Sequence, residues 1–258
     1  MTKPSIHLTE PIGPAGAPVL MLGHSLGTGT LLWETAAPAL REQYRVTLLT
    51  LPGHEGTAVP TEPYTIEELT AAVADAGREV AGGRFLYAGV SIGGAIALEL
   101  GLRHPDAVAA VASIASGASL GGRAHWQSRA TLVREQSPAS LVGPSSKTWF
   151  EPESFNREPV LLGRLLRVLQ ETPTEAYALA ALALAEYDIR AELGGIEVPV
   201  LAMYGATDTV APEDRQDEIV AAVRNGRKLR IDGAAHQPPA EQPAATAQGL
   251  LEFFEEAR

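Results

Sequence analysis

The run Phe85-Leu86-Tyr87-Ala88-Gly89-Val90-Ser91-Ile92-Gly93-Gly94, continued by Ala95-Ile96-Ala97-Leu98-Glu99-Leu100, sets a serine between an apolar, β-rich stretch and a helix-forming one. A strand-to-helix turn this sharp forces strained backbone angles on the serine, and the flanking glycines keep side chains clear of the neighbouring strand and helix. Such an elbow projects the Ser91 hydroxyl out of the fold. It also puts the serine at a helix N-terminus, where unpaired amides and the macrodipole stabilise negative charge that develops during acyl transfer. A Gly-x-Ser-x-Gly pattern alone also fits a tight turn without chemistry. The strand before it, the helix after it and two partners downstream separate the two readings.

Outward from the elbow, short apolar runs alternate with amphipathic stretches. Pro18–Leu22, Val46–Leu49, Phe85–Ala88 and Val108–Ala115 read as strands, with His7 in a first strand before them. Helices are expected near Thr30–Glu42, Ile66–Val80 and Gly93–Arg103, then strands at Val198–Tyr204 and Arg227–Ile231 and a terminal helix near Ala244–Glu256. This alternation predicts an α/β fold whose central sheet is mostly parallel and carries helices on both faces. Between about Ser119 and Leu193 the strand signal vanishes and helical periodicity takes over, as at Leu161, Leu165, Val168 and Leu169. The chain therefore divides into a core (1–118), a helical cap (119–193) and the rest of the core (194–258). An insertion at the carboxyl edge of such a sheet shapes the substrate pocket.

With 258 residues, 45% hydrophobic and 20% charged, the chain is long enough for one α/β domain with an insertion. A net charge of −11 and the absence of any Lys/Arg run exclude a nucleic-acid partner. Zero cysteines exclude disulfides, thiolate metal sites and a cysteine nucleophile. No His/Asp/Glu cluster has metal-ligand spacing, so neither metal nor cofactor is expected. No apolar signal core opens the chain and no stretch reaches a membrane-spanning length, which makes a cytoplasmic location the expectation. The cap differs in charge from the remainder: residues 120–170 hold Arg123, Arg129, Arg134, Lys147, Arg157, Arg164 and Arg167 against Glu135, Glu151, Glu153 and Glu158. A basic cap over an acidic protein points to an anionic small molecule, although each arginine also fits a solvated helix face.

A serine hydroxyl needs a base, and histidine has the pKa for that work. His236 lies in the small-residue loop Asp232-Gly233-Ala234-Ala235-His236 after the last expected strand, where the chain can deliver an imidazole over the elbow. His7, His54, His104 and His125 read as structural or exposed. The orienting carboxylate is expected after a late strand, and Tyr204-Gly205-Ala206-Thr207-Asp208 places Asp208 in such a turn, whereas Asp214 and Asp217 fall in the following helix. The order Ser91, Asp208, His236 is that of the α/β-hydrolases. Two amides are needed for an oxyanion. One is that of Ile92, after the serine, and the loop Gly23-His24-Ser25-Leu26-Gly27-Thr28 supplies Leu26 as the second, with His24 bracing the loop.

With these residues placed, the chain resembles the α/β-hydrolase superfamily over its full length, and within it is similar to the 3-oxoadipate enol-lactonases of aromatic catabolism. The second likeness rests on Ser25-Leu26-Gly27-Thr28, on Trp126 with Arg129 and Leu132-Val133-Arg134, on Trp149-Phe150, and on Gly233-Ala234-Ala235-His236 with Glu241-Gln242-Pro243. It implies Ser25, Trp126, Arg129, Arg134 and Trp149 as substrate contacts. One departure is Pro52-Gly53-His54-Glu55-Gly56, where those lactonases write Arg-Gly-His-Gly; a cation is missing there.

These residues predict hydrolysis of an ester or lactone through an acyl-enzyme on Ser91. A generalist carboxylesterase and a cofactor-free perhydrolase or haloperoxidase would use the same triad. A non-catalytic ligand receptor would keep the fold alone.

Overall fold

The structure, a computed structural model, describes residues 4–257; residues 1–3 and 258, at the outer ends of the expected first and third segments, lie outside the described residues. Among the described residues seven strands form one sheet: β1 (His7–Leu8), β2 (Val19–Gly23), β3 (Arg45–Thr50), β4 (Phe85–Val90), β5 (Val108–Ile114), β6 (Val200–Gly205) and β7 (Gly226–Ile231). Their order is β1-β3-β2-β4-β5-β6-β7, with β1 antiparallel and every other pairing parallel. The central strands β2, β4 and β6 are buried at every position. Their unbroken apolar runs are what a strand covered on both faces requires.

Around the sheet lie α1 (Ala37–Leu40), α2 (Ile66–Ala81), α3 (Ile92–Arg103), α9 (Glu213–Ala222), α10 (Pro238–Glu241) and α11 (Pro243–Glu256). Helix α2 begins with a capping box, in which Thr65 and Glu68 satisfy each other's amides, and ends at Gly82 in the left-handed region. The single helix expected over Thr30–Glu42 is instead a 3-10 turn (Thr30–Trp33) followed by the one-turn α1. Pro38 lacks the amide hydrogen that would continue a helix from the turn before it, but it is tolerated in the first turn of α1, where no intrahelical donor is needed.

Among the described residues no strand forms between β5 and β6. The chain instead builds α4 (Arg123–Gln136), α5 (Val142–Thr148), α6 (Ser154–Arg157), α7 (Pro159–Glu171) and α8 (Thr174–Ala185), with α4 packed on α8. Leu161, Leu162, Leu165 and Leu169 turn one face of α7 inward. These join the sheet's side chains in one contiguous buried cluster.

Strand β2 pairs with β3 on one side and β4 on the other, so the connections after β2 and β4 diverge at adjacent strand ends. A crevice opens there. Gly23 and Gly89 are register partners at that point, which starts the loop after β2 and the elbow after β4 side by side. A Cβ on Gly89 would stand 2.3 Å from the Gly93 carbonyl oxygen, so only glycine lets strand and helix approach this closely.

Candidate active site

Ser91 occupies the turn between β4 and α3 at φ 58°, ψ −114°, a conformation that L-residues rarely adopt. The strain is held by the surroundings: the Ser91 amide donates to the Ile114 carbonyl at 2.9 Å, and Ser116 Oγ donates to the Ser91 carbonyl at 2.7 Å.

Asp208 follows β6 and is 5% exposed. Its Oδ1 accepts the Val210 and Ala211 amides at 2.8 and 3.1 Å, and its Oδ2 stands 2.9 Å from His236 Nδ1. Burial opposes ionisation of this carboxyl, but the facing imidazole and the hydrogen bonds from His236, Ala211 and Val210 outweigh it and hold the pKa below the usual range. The pairing puts the ring proton on Nδ1 and leaves Nε2 with a free lone pair.

Ser91 and His236 line one cavity of about 320 Å³, together with Ser25, Leu26, Trp126 and Trp149. Among the described residues, the amides of Leu26 and Ile92 have no protein acceptor. Ile92 itself is fully buried behind Ser91. Ser25 is positioned by Gln237, whose Nε2 donates to Ser25 Oγ at 3.3 Å. Trp126 donates its indole proton to the Leu120 carbonyl, and Trp149 meets Phe150 edge to face.

The cations of the segment 119–193 separate sharply. Arg123 pairs with Glu186, Arg164 with Glu34 and Arg167 with Glu171, while Arg157 donates to Ser154 Oγ and the Gly233 carbonyl. Arg134, expected to contact substrate, is exposed, pairs with Glu175 and does not line the cavity. Arg129 does line it, and among the described residues no other arginine or lysine and no carboxylate does so. Its Nε donates to Tyr177 Oη at 2.9 Å and its guanidinium lies 5.8 Å from the Trp126 ring centroid, which leaves the terminal nitrogens free for a ligand.

Sequence reasoning missed Tyr177 and His125 in the cavity wall, and it also missed two supporting groups. Tyr177 interrupts an otherwise Ala- and Leu-rich helix, which was the one available signal. Buried His54 accepts the Gly27 amide, next to Leu26, and buried Glu241 accepts the amides on both sides of His236. Among the described residues no cluster of three or more His, Cys, Asp or Glu could hold a metal ion, and no helix is long and apolar enough to cross a membrane.

Comparison with known proteins gives the family. The family described as alpha/beta hydrolase fold matches residues 18–243. The 3-oxoadipate enol-lactonase 2 of Acinetobacter baylyi is 29% identical over 233 residues, 90% of this chain and 87% of that protein. The pimeloyl-[acyl-carrier protein] methyl ester esterase of Edwardsiella ictaluri is 29% identical over 248 residues, 93% of this chain and 94% of that protein. Among solved structures, the enol-lactonase from Burkholderia xenovorans LB400 superposes with a TM-score of 0.92 at 30% identity, covering 97% of this chain and 96% of that one.

Proposed function

Since the chain belongs to the α/β-hydrolase fold family, we propose that this hydrolase opens a carboxylate-bearing lactone through an acyl-enzyme on Ser91, with 3-oxoadipate enol-lactone as the substrate. The observation that carries the reading is one cavity lined by Ser91, at a strained helix-capping turn, by His236 backed by Asp208, and by Arg129, which pairs with no carboxylate among the described residues.

His236 Nε2 takes the Ser91 proton as Oγ attacks the lactone carbonyl, and the Leu26 and Ile92 amides bind the oxyanion. Among the described residues the Ser91 hydroxyl makes no hydrogen bond to His236, and that contact tightens as substrate seats. Collapse breaks the ring C–O bond, and the proton on His236 passes to the departing enol oxygen, which stays tethered to the acyl group. Water, deprotonated by His236, then attacks the acyl-enzyme, and Ser91 regains its proton. Asp208 fixes the Nδ1–H tautomer throughout.

The segment 119–193 acts as a cap. Its Arg129, with the Tyr177 hydroxyl beside it, receives the substrate carboxylate, and supplies the cation that is absent at Pro52. The similarity to both an enol-lactonase and a methyl ester esterase supports ester or lactone chemistry equally. A neutral carboxylic ester is therefore the second reading.

The test is the initial rate on freshly generated 3-oxoadipate enol-lactone beside p-nitrophenyl acetate and a neutral butyrolactone, with Ser91→Ala as control. A kcat/KM for the enol-lactone at least about a hundredfold above the others is expected. Faster turnover of neutral esters replaces the lactone reading with the ester one and leaves the triad in place.

A further inference from the structure

We propose that Glu241 is a positioning residue for His236, seating the imidazole by joining the histidine loop to the helical insertion. The inference rests on the serine-hydrolase reading above.

Glu241 is 2% exposed, and its carboxylate is used on both sides. Oε1 accepts the amides of Ala235 at 2.8 Å and Gln237 at 3.2 Å, the residues flanking His236. Oε2 accepts the Glu151 amide at 2.7 Å and Ser154 Oγ at 2.9 Å, both from the insertion. The remaining amide of the triplet, that of His236, donates to the Trp149 carbonyl at 3.0 Å. Three consecutive amides are thus held, the outer two by the carboxylate and the middle one by a segment that the same carboxylate fixes two residues further on. The contacts close into a ring that runs from Trp149 through Glu151, Glu241 and the histidine loop back to Trp149.

A carboxylate in so buried a place is costly unless donors surround it, and four do. Capping the single turn Pro238–Glu241 would account for the Gln237 contact alone. It leaves unexplained why Oε2 reaches the insertion. Arg157 ties the same two segments through Ser154 Oγ and the Gly233 carbonyl, and Gln242 Nε2 adds a bond to that carbonyl at 2.9 Å. The insertion and the histidine loop therefore move as one piece, and the ring angle of His236 depends on it.

Glu241→Gln keeps the shape but brings an N–H toward one of the two donor pairs, so one side of the ring opens. The experiment follows phosphonylation of the whole protein by a p-nitrophenyl alkylphosphonate. Ser91 Oγ bonds to phosphorus, the aryl P–O bond breaks, p-nitrophenolate leaves and is counted, and the serine proton passes to His236. The reaction reads His236 without requiring the natural substrate. Expected are a labelling rate for Glu241→Gln ten- to a hundredfold below wild type, on the order of what displacing a catalytic group by about 1 Å costs. A matching fall in kcat on p-nitrophenyl acetate and a KM within about twofold of wild type are expected with it. A labelling rate and kcat within about twofold of wild type, in a variant with native circular dichroism, overturn the assignment. Should Glu241→Gln not fold, Ser154→Ala removes one Oε2 donor. Labelling roughly three- to fivefold slower, the worth of one hydrogen bond, supports the assignment, and an unchanged rate overturns it. A wild type that does not label at all overturns the serine reading and this assignment with it.

Discussion

His24 and His54 hold each other's loops: His54 Nε2 accepts the Gly27 amide at 3.1 Å, His24 Nε2 accepts the Leu51 amide at 3.1 Å, and the two rings lie 5.0 Å apart. Each ring's Nδ1 lies within hydrogen-bonding distance of a carbonyl, of Ser25 at 2.7 Å and of Pro52 at 3.1 Å, which fixes both as neutral Nδ1–H tautomers. The Gly27 amide so held is one residue beyond the proposed oxyanion donor Leu26.

Acid should open this clasp. Burial lowers the pKa of His24 to about 4 and of His54 to about 3, the latter with help from His24 itself. Both folded values lie below the unfolded value of about 6.5, so the unfolded chain binds more protons between pH 6.5 and about 3 and stability falls as pH drops through that window. At about 1.4 kcal/mol per unit the loss reaches several kcal/mol by pH 4. Urea melts at pH 7.5, 6 and 4.5 measure it. A flatter dependence is expected in His54→Gln, and equal slopes would remove the clasp as the cause.

Replacing Ser91 by alanine should leave the fold intact and reduce hydrolysis by at least about a thousandfold. Alanine tolerates φ 58° no better than serine, so the midpoint of thermal unfolding should stay within a few degrees. Turnover surviving in the purified variant would end the proposed mechanism.

Asp208→Asn keeps the volume and offers an amide where the imidazole needs an acceptor. The imidazole then loses its fixed tautomer, and kcat should fall by roughly a thousandfold or more with little change in KM. Steady-state rates on p-nitrophenyl acetate decide this, and a tenfold effect or less would place the orienting role elsewhere.

Arg129 and Arg134 make a matched pair. Arg129→Met should raise KM at least about tenfold for a carboxylated lactone and leave neutral esters within about twofold, because the cavity keeps its volume and loses its cation. Arg134→Ala should change neither, since its partner is the exposed Glu175. Equal loss on charged and neutral substrates in Arg129→Met would assign that side chain to packing on Trp126 and Tyr177.

Much of this was legible in the chain before any coordinate. The glycine spacing around Ser91 can be read because the turn between β4 and α3 excludes side chains by contact, a constraint that leaves residue types as its trace. The pairing of Asp208 with His236 was expected from a carboxylate after a late strand and from the Ser-Asp-His order, and it forms because β6 and β7 are neighbours in the sheet. Arg134 was expected at the substrate from the family resemblance, although helix geometry separates it from Arg129: five residues along a helix amount to a rotation of about 140°. Glu241 and His54 stood in the quoted family patterns without a role, because both act on backbone amides, which every residue carries. The break at Pro38 was visible but outweighed by the apolar pattern on either side of it.

Because the helical insertion shares its interior with the sheet, with Val133, Leu165 and Leu169 in the same buried cluster as Leu22 and Val90, the chain has no seam along which a lid could be grafted or deleted. A new preference for substrate in this scaffold would come from exchanging single side chains on the cavity wall, and unfolding should register as one cooperative melt shared by both halves.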